Sequence, residues 1–498
     1  MLIRPVAEDF RIISFFLGRI FIVVAISGLL PLLWAVLGRE WAPVGSFLLM
    51  VGVFAATGIA MMRVSPAQER LDWSHGMVVV AVTWLVVPLV GAIPFMLSGH
   101  WANPLDAYFD AMSGLSTTGL ALVQDLDHLA PSINFWRHLL HFLGGQGIII
   151  AALILFVGGG TLTLYYGEGR EDRILPSVRS TARFIWGVSL LHLLVGVTAL
   201  FVVALFVLGF EWERSLFHGL LIFFAGFDTG GFSPMSTSLG YYHSAIFEAV
   251  TSVLMVAGAI SFGVHFALWW GPRRRLITNL ETRTILGTFF LTMTLTLFGL
   301  AAAGLYTDVA GLSRQGFFQI LSAHTGTGFA TVSSAELAQW GGLAFGGMAL
   351  AMAFGGMASA TAGGVKALRI GLTVRAVADE IKGDLLPTGA LVDHSYTQFE
   401  ERQLSPELAR SVMTVSLLYV ALFLIGAGIG FAYDVPLQQA LFESVSAGAN
   451  VGLSVGVTEP VMPILLKLTY IAEMYLGRLE FVAVFVLIGF LVSVVRGR

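Results

Sequence analysis

Apolar runs close to 20 residues long recur along the whole sequence and predict membrane-spanning helices at about 20–38, 43–62, 76–98, 137–158, 184–209, 244–270, 284–305, 340–370, 410–432 and 461–495. That pattern makes ten crossings. The first run lies behind Asp9 and Arg11, lacks a small-residue cleavage site and leads into a second span, so it reads as a retained helix. After the third, fifth, seventh and ninth spans the pattern changes. Each is followed by a stretch of about 15–20 residues that is too apolar and too rich in small residues for a solvated loop.

Each of these stretches ends in a short signature: Thr117-Thr118-Gly119-Leu120, Thr229-Gly230-Gly231-Phe232, Gly326-Thr327-Gly328-Phe329 and Asn450-Val451-Gly452-Leu453. Six and five positions before the aligned glycine every copy has two small residues, Ser113-Gly114, Ala225-Gly226, Ser322-Ala323 and Ser446-Ala447. The aligned glycines are spaced 112, 97 and 124 residues apart, the length of a helix, re-entrant loop, helix unit with its connector. The expected units are 75–165, 166–272, 273–385 and 386–498, preceded by a two-helix extension over 1–74. A single Gly-[Leu/Phe] pair among 57 glycines carries no weight, but four at matched topological positions do.

Irregular backbone at membrane depth survives only when it is buried in protein or lines a wet path, because bare N–H and C=O groups in hydrocarbon cost several kcal/mol each. Half-helices such as 104–116 and 436–449 would aim their negative ends at the bilayer centre. Glycine then permits the left-handed angles that turn carbonyl oxygens toward one side. Four such loops around an axis could replace the water shell of a monovalent cation. The alternative, glycines that merely let helices pack closely, does not account for a fourfold register outside the spans.

Composition agrees: 56% of the 498 residues are apolar, 12% are charged, cysteine is absent and the net charge is −4. These values exclude a soluble domain, a disordered chain, a disulfide scaffold and a nucleic-acid binder, as well as thiolate metal sites. Placing the N-terminus inside puts 21 of the 27 basic residues on the cytoplasmic side, so both termini are expected there. The opposite loops are acidic, with Glu40, Asp106, Asp110, Asp125, Asp127, Glu211, Glu213, Asp308, Glu336, Asp434, Glu443 and Glu459 forming a mouth expected to attract cations.

Three further motifs add to the loops: Gly355-Gly356-Met357-Ala358-Ser359-Ala360-Thr361-Ala362-Gly363-Gly364-Val365-Lys366, Gly477-Arg478-Leu479-Glu480, and Trp136-Arg137-His138 followed by Gly144-Gly145-Gln146-Gly147-Ile148. With them the sequence resembles the Trk/Ktr/HKT superfamily of potassium transporters, and its TrkH-type members in particular, over essentially the whole chain. The resemblance implies an all-α integral membrane fold of ten spanning helices, with four helix–re-entrant loop–helix repeats in pseudo-fourfold arrangement plus an N-terminal helix pair. It implies a potassium filter built from the backbone carbonyls of Thr117, Thr118, Gly119, Thr229, Gly230, Gly231, Gly326, Thr327, Gly328, Asn450, Val451 and Gly452. Glycine at all four aligned positions favours potassium over sodium within that superfamily. It further implies a bacterial inner-membrane location, a homodimer in membrane lipid and a cytoplasmic TrkA-type nucleotide-binding regulatory subunit. The resemblance implies potassium as the substrate; no cofactor and no nucleic-acid partner is expected for this chain, and no nucleotide-binding segment is visible in its sequence. Asp228, just before the second signature, departs from the pattern. It either adds charge to the ion path or points behind the loop, and the second use is favoured because an ionised acid in the path would hold a cation too well.

The run Gly355, Gly356, Ser359, Thr361, Gly363, Gly364, Lys366 is expected to interrupt its helix and lay a gate loop across the path, since each interior glycine costs about 0.8–1 kcal/mol. An arginine inside an apolar span costs about 2.5–3.5 kcal/mol. Arg478 is therefore expected either below the filter as an electrostatic barrier or in a structural pair, with Glu480 or Glu473 nearest in sequence. Arg137, His138 and His141 read as packing or interface anchors, His265 and Lys467 as interfacial, and Gly158-Gly159-Gly160 as a helix terminus. A two-fold inverted-repeat transporter would show two related halves, not four units in one orientation. A membrane enzyme would need a convergent acid, base or metal cluster, which the sequence does not display.

Overall fold

The structure is a computed structural model that describes residues 5–63, 71–147, 178–271, 273–306, 308–387 and 393–496. Part of the expected span 137–158, the glycines at 158–160 and the boundary between the first two units lie outside the described residues.

An N-terminal pair, α1 (Ala7–Leu37) and α2 (Trp41–Arg63), opens the chain. The two helices touch backbone to backbone at Gly18 and Gly58: a Cβ on either would lie within 3 Å of the other's carbonyl oxygen. This is the close approach small residues allow where lipid supplies no hydrophobic drive between helices. The turn between them docks on the next unit, where the Glu40 carboxylate accepts from the Ser132 N–H at 3.2 Å and from its hydroxyl.

The first repeat comprises α3 (Trp73–Gly91), its continuation α4 (Ile93–Ser98), the short α5 (Pro104–Leu115) and α6 (Pro131–Gln146). The second comprises α7 (Val178–Phe206), the short α8 (Trp212–Phe227), α9 (Ala245–Ala259) and α10 (Phe262–Trp269). After a connector, α11 (Arg274–Thr278), come α12 (Leu280–Ala303), the short α13 (Val309–His324), α14 (Ser334–Ala338), α15 (Gly342–Ala353) and α16 (Ala367–Leu385). An antiparallel hairpin, β1 (Ser395–Gln398) and β2 (Glu400–Gln403), leads to α17 (Pro406–Ala432), the short α18 (Leu437–Gly448), α19 (Ile464–Arg478) and α20 (Val482–Arg496).

The short helices span 12 to 16 residues. At 1.5 Å per residue that is too little for a ~30 Å core. They start where local chemistry dictates. Asn103 accepts from the Asp106 N–H at 3.0 Å ahead of Pro104, and Asp308 accepts from Gly311 at 2.8 Å. Inner helices seat on the ends of their short partners through glycine. A Cβ on Gly144, Gly258 or Gly477 would stand 1.8–1.9 Å from the carbonyl oxygen of Leu115, Phe227 or Gly448.

Two expected spans are not single helices. Residues 244–270 form α9 and α10, bent by 104°, and 461–495 form α19 and α20, bent by 109°. At the second bend Glu480 and Phe481 are both left-handed, with φ of 50° and 70°. The span 340–370 is α15, then the expected interruption, then α16. Among the described residues six helices and these two bent pairs are long and apolar enough to cross a membrane.

Candidate functional site

The four signatures fall directly after α5, α8, α13 and α18 and share one backbone conformation. Their first residues, Thr117, Thr229, Gly326 and Asn450, have φ between 51° and 72°, and the aligned glycines have φ between 75° and 95°. Alternating left-handed residues turn successive carbonyls to one side. Each loop hangs from the end of its own short helix. The N–H of Thr118, Gly230, Thr327 and Val451 donates to the carbonyl of Ser113, Ala225, Ser322 and Ser446 at 2.8–2.9 Å. The small residues recognised in sequence are these acceptors, and the serine hydroxyls of Ser113 and Ser446 also take the Gly119 and Gly452 N–H groups at 3.0 Å.

The loops close on one another. A Cβ on Gly119 would lie 2.4 Å from the Gly230 carbonyl oxygen, on Gly231 2.1 Å from that of Thr327, on Gly328 1.7 Å from that of Val451, and on Gly452 2.0 Å from that of Thr118. The order runs one to two, two to three, three to four and four back to one, which is a ring. Asn450 Nδ2 reinforces the last junction with a 3.0 Å bond to Thr118 Oγ1. On one side the aligned glycines floor an open vestibule of about 690 Å³.

On the other side lies residues 354–366. The Gly355 N–H donates to the Val365 carbonyl at 2.9 Å and Val365 to Ala353 at 3.1 Å, closing a loop with left-handed Ser359 and Gly364. This loop reaches all four signatures. Thr361 Oγ1 meets Phe227 O at 3.1 Å and Thr229 Oγ1 at 3.2 Å. A Cβ on Gly326 would sit 3.4 Å from that of Ala362, and one on Gly363 would be 2.4 Å from the Ala449 carbonyl oxygen. The first signature is reached through Arg478, which donates to Thr361 O at 2.6 Å, Thr117 Oγ1 at 3.1 Å and Gly144 O at 2.7 Å. Gly356 O accepts from Ala367, the Glu281 carboxylate takes the Ala358 N–H, and the Lys366 ammonium donates to Ala362 O. What space remains among Ser359, Gly363, Lys366 and Arg478 is about 20 Å³, enough for little more than one water. Glu480 pairs with Arg369 and Glu473 with Ser444 Oγ at 2.5 Å.

Several side chains lie elsewhere than the sequence suggests. Asp106, Asp110 and Glu443 are fully buried and form no part of a solvated acidic mouth. Lys467 is not interfacial: it is buried against Asp106 Oδ1 at 2.5 Å and Pro460 O at 2.7 Å. His265 is likewise buried, bonded to Ala257 O at 2.9 Å. Asp228 accepts from Gln146 Nε2 at 2.6 Å, behind its loop. Asp110, Gln319 and Glu443 brace the ascending arms, accepting from the N–H of Leu122, Thr331 and Val455 at 2.6–2.8 Å. All three stand nine residues before their aligned glycine, a register from which they could have been found.

The fold is that of a solved protein. The crystal structure of the potassium transporter TrkH from Vibrio parahaemolyticus superposes with a TM-score of 0.81 over 96% of this chain and 98% of that one, at 24% identity. The chain is 28% identical to an uncharacterised cation transporter of Methanocaldococcus jannaschii, over 97% of this chain and 96% of that one. It is 27% and 28% identical to the Trk system potassium uptake proteins TrkH of Halomonas elongata and Escherichia coli K12, in each case over 96% of this chain and 98% of the relative. The TrkH cation transport protein model matches residues 47–492, and with nearly the whole fold inside that match the chain belongs to the TrkH family of cation transport proteins.

Proposed function

We propose that the chain is a potassium uptake protein of a bacterial inner membrane, with both termini in the cytoplasm and the vestibule facing outward. The observation that carries this reading is the closed ring, in which each aligned glycine abuts the carbonyl of the next loop. Backbone oxygens of Thr117 to Gly119, Thr229 to Gly231, Gly326 to Gly328 and Asn450 to Gly452 take the place of water around the ion. Four short helices ending at the ring add partial negative charge of about half an electron each, favouring a cation without a fixed carboxylate to trap it. Potassium as the ion is supported by the Trk relatives named above.

Residues 355–366 and Arg478 act as the gate. A guanidinium beneath the ring repels a cation leaving it, and the same group holds the loop shut through Thr361. Opening requires this arrangement to break, driven from the basic cytoplasmic face by a TrkA-type nucleotide-binding subunit on a homodimer of this chain. The chain itself uses no cofactor.

Rubidium uptake by potassium-starved cells lacking their own uptake systems tests the reading. Uptake that depends on this chain, and is outcompeted by potassium but not by sodium, is the expected result. A correctly inserted protein that carries neither ion would sink it.

A further inference from the structure

Three arms of the ring are braced within their own repeat, and the second cannot be. Asp110, Gln319 and Glu443 each hold the N–H that lies three residues after the aligned glycine. In the second repeat the acceptor position is Ile222 and the donor position is Pro234, so acceptor and donor are lost together.

What holds this arm instead comes from α6 of the first repeat. Asn134 Nδ2 donates to Pro234 O at 3.0 Å, and His138 Nε2 lies 3.1 Å from Phe232 O. The Phe232 N–H donates to His141 Nε2 at 3.2 Å, while His141 Nδ1 lies 2.7 Å from Gly114 O. The Arg137 guanidinium stacks on the Phe232 ring at 4.1 Å. These four side chains stand at i, i+3, i+4 and i+7, one face of a helix. All are buried. The second signature is shaped to receive them: where the other loops carry Thr118, Thr327 and Val451 it has Gly230, and a Cβ there would lie 2.4 Å from the His141 ring.

We propose that Asn134, Arg137, His138 and His141 form a clamp that positions the second filter arm and thereby sets ion discrimination, with His141 at its centre. The inference rests on the filter reading above. His141 ties the end of the first short helix, from which the first arm hangs, to the second arm, since one ring nitrogen meets Gly114 O and the other the Phe232 N–H. It fixes the spacing between neighbouring carbonyl sets, which is the quantity that distinguishes potassium from the smaller sodium ion. These are positioning residues; none need touch the ion.

The test uses full-length protein in liposomes, measuring potassium and sodium flux separately. His141→Phe, which keeps a ring but loses both bonds, is expected to lower the potassium-over-sodium preference at least fivefold with the amount of inserted protein unchanged. Installing the missing brace in that background, Ile222→Gln with Pro234→Thr, is expected to restore at least half of the preference. An unchanged preference in His141→Phe overturns the clamp, and so does a lost preference that the installed brace fails to restore, because packing alone would then explain the loss. If His141→Phe does not insert, Asn134→Leu decides by the same criterion. A wild-type protein that carries no potassium in these liposomes would instead count against the filter reading, so the two failures are distinguishable.

Discussion

Gly328 concentrates the demands placed on a single residue. It needs a left-handed backbone, which costs a side-chain-bearing residue about 1–3 kcal/mol, and its missing Cβ leaves room for the Val451 carbonyl. Both demands act at the ring itself. Gly328→Ala is therefore expected to reduce rubidium uptake more than tenfold, whereas Gly346→Ala, in open space on α15, leaves uptake unchanged. Uptake assays normalised to inserted protein check this. Both glycines look alike as isolated letters; only the fourfold register told Gly328 apart. The same register could have reached Asp110, Gln319 and Glu443, but the two carboxylates read as solvated charges of an acidic mouth, and only their burial shows otherwise.

At the scale of elements, the loop over residues 354–366 shows which breaks a sequence discloses. The interruption at 354–366 was legible because its glycines and small residues weaken a helix by composition alone. The bends after Ala259 and Arg478 were not. Neither contains a proline, and the left-handed pair Glu480-Phe481 is held by partners remote in sequence, the Arg369 ion pair and a buried site for the Phe481 ring. Arg478 sits at the last of these bends and ties the loop to the ring. Arg478→Ala is expected to raise basal potassium flux about tenfold in the absence of any regulator, the factor that ~1.4 kcal/mol of lost closed-state stabilisation would give. Flux into liposomes containing only the purified variant measures it. Unaltered basal flux would return Arg478 to a purely structural role.

Across the whole molecule, three junctions of the ring join repeats that follow one another in the chain, while the fourth joins the last repeat to the first. Contacts that secure that seam include Asn450 with Thr118, Arg478 with Thr117 and Gly144, and the buried Lys467–Asp106 pair. Removing one member of a buried pair leaves its partner uncompensated, a loss of about 3–5 kcal/mol. Lys467→Met is expected to lower the thermal midpoint of the purified protein markedly, and Lys467→Met with Asp106→Leu to recover most of it. Thermal unfolding in detergent, followed by tryptophan fluorescence, reads both. Overall topology, the four units and the N-terminal pair were visible in hydropathy and register. The seam was not, because hydropathy scores a lysine near a span end as interfacial whether or not an acid from another repeat is waiting for it.

That separation also bears on how the protein is made. Asp106 and Lys467 are 361 residues apart. At about 5–20 residues per second, the ribosome delivers the lysine roughly 20–70 s after the aspartate has left the exit tunnel. Throughout that interval the nascent first repeat lacks both the lysine partner of Asp106 and its fourth neighbour, so the ring of loops closes only in the last stage of translation.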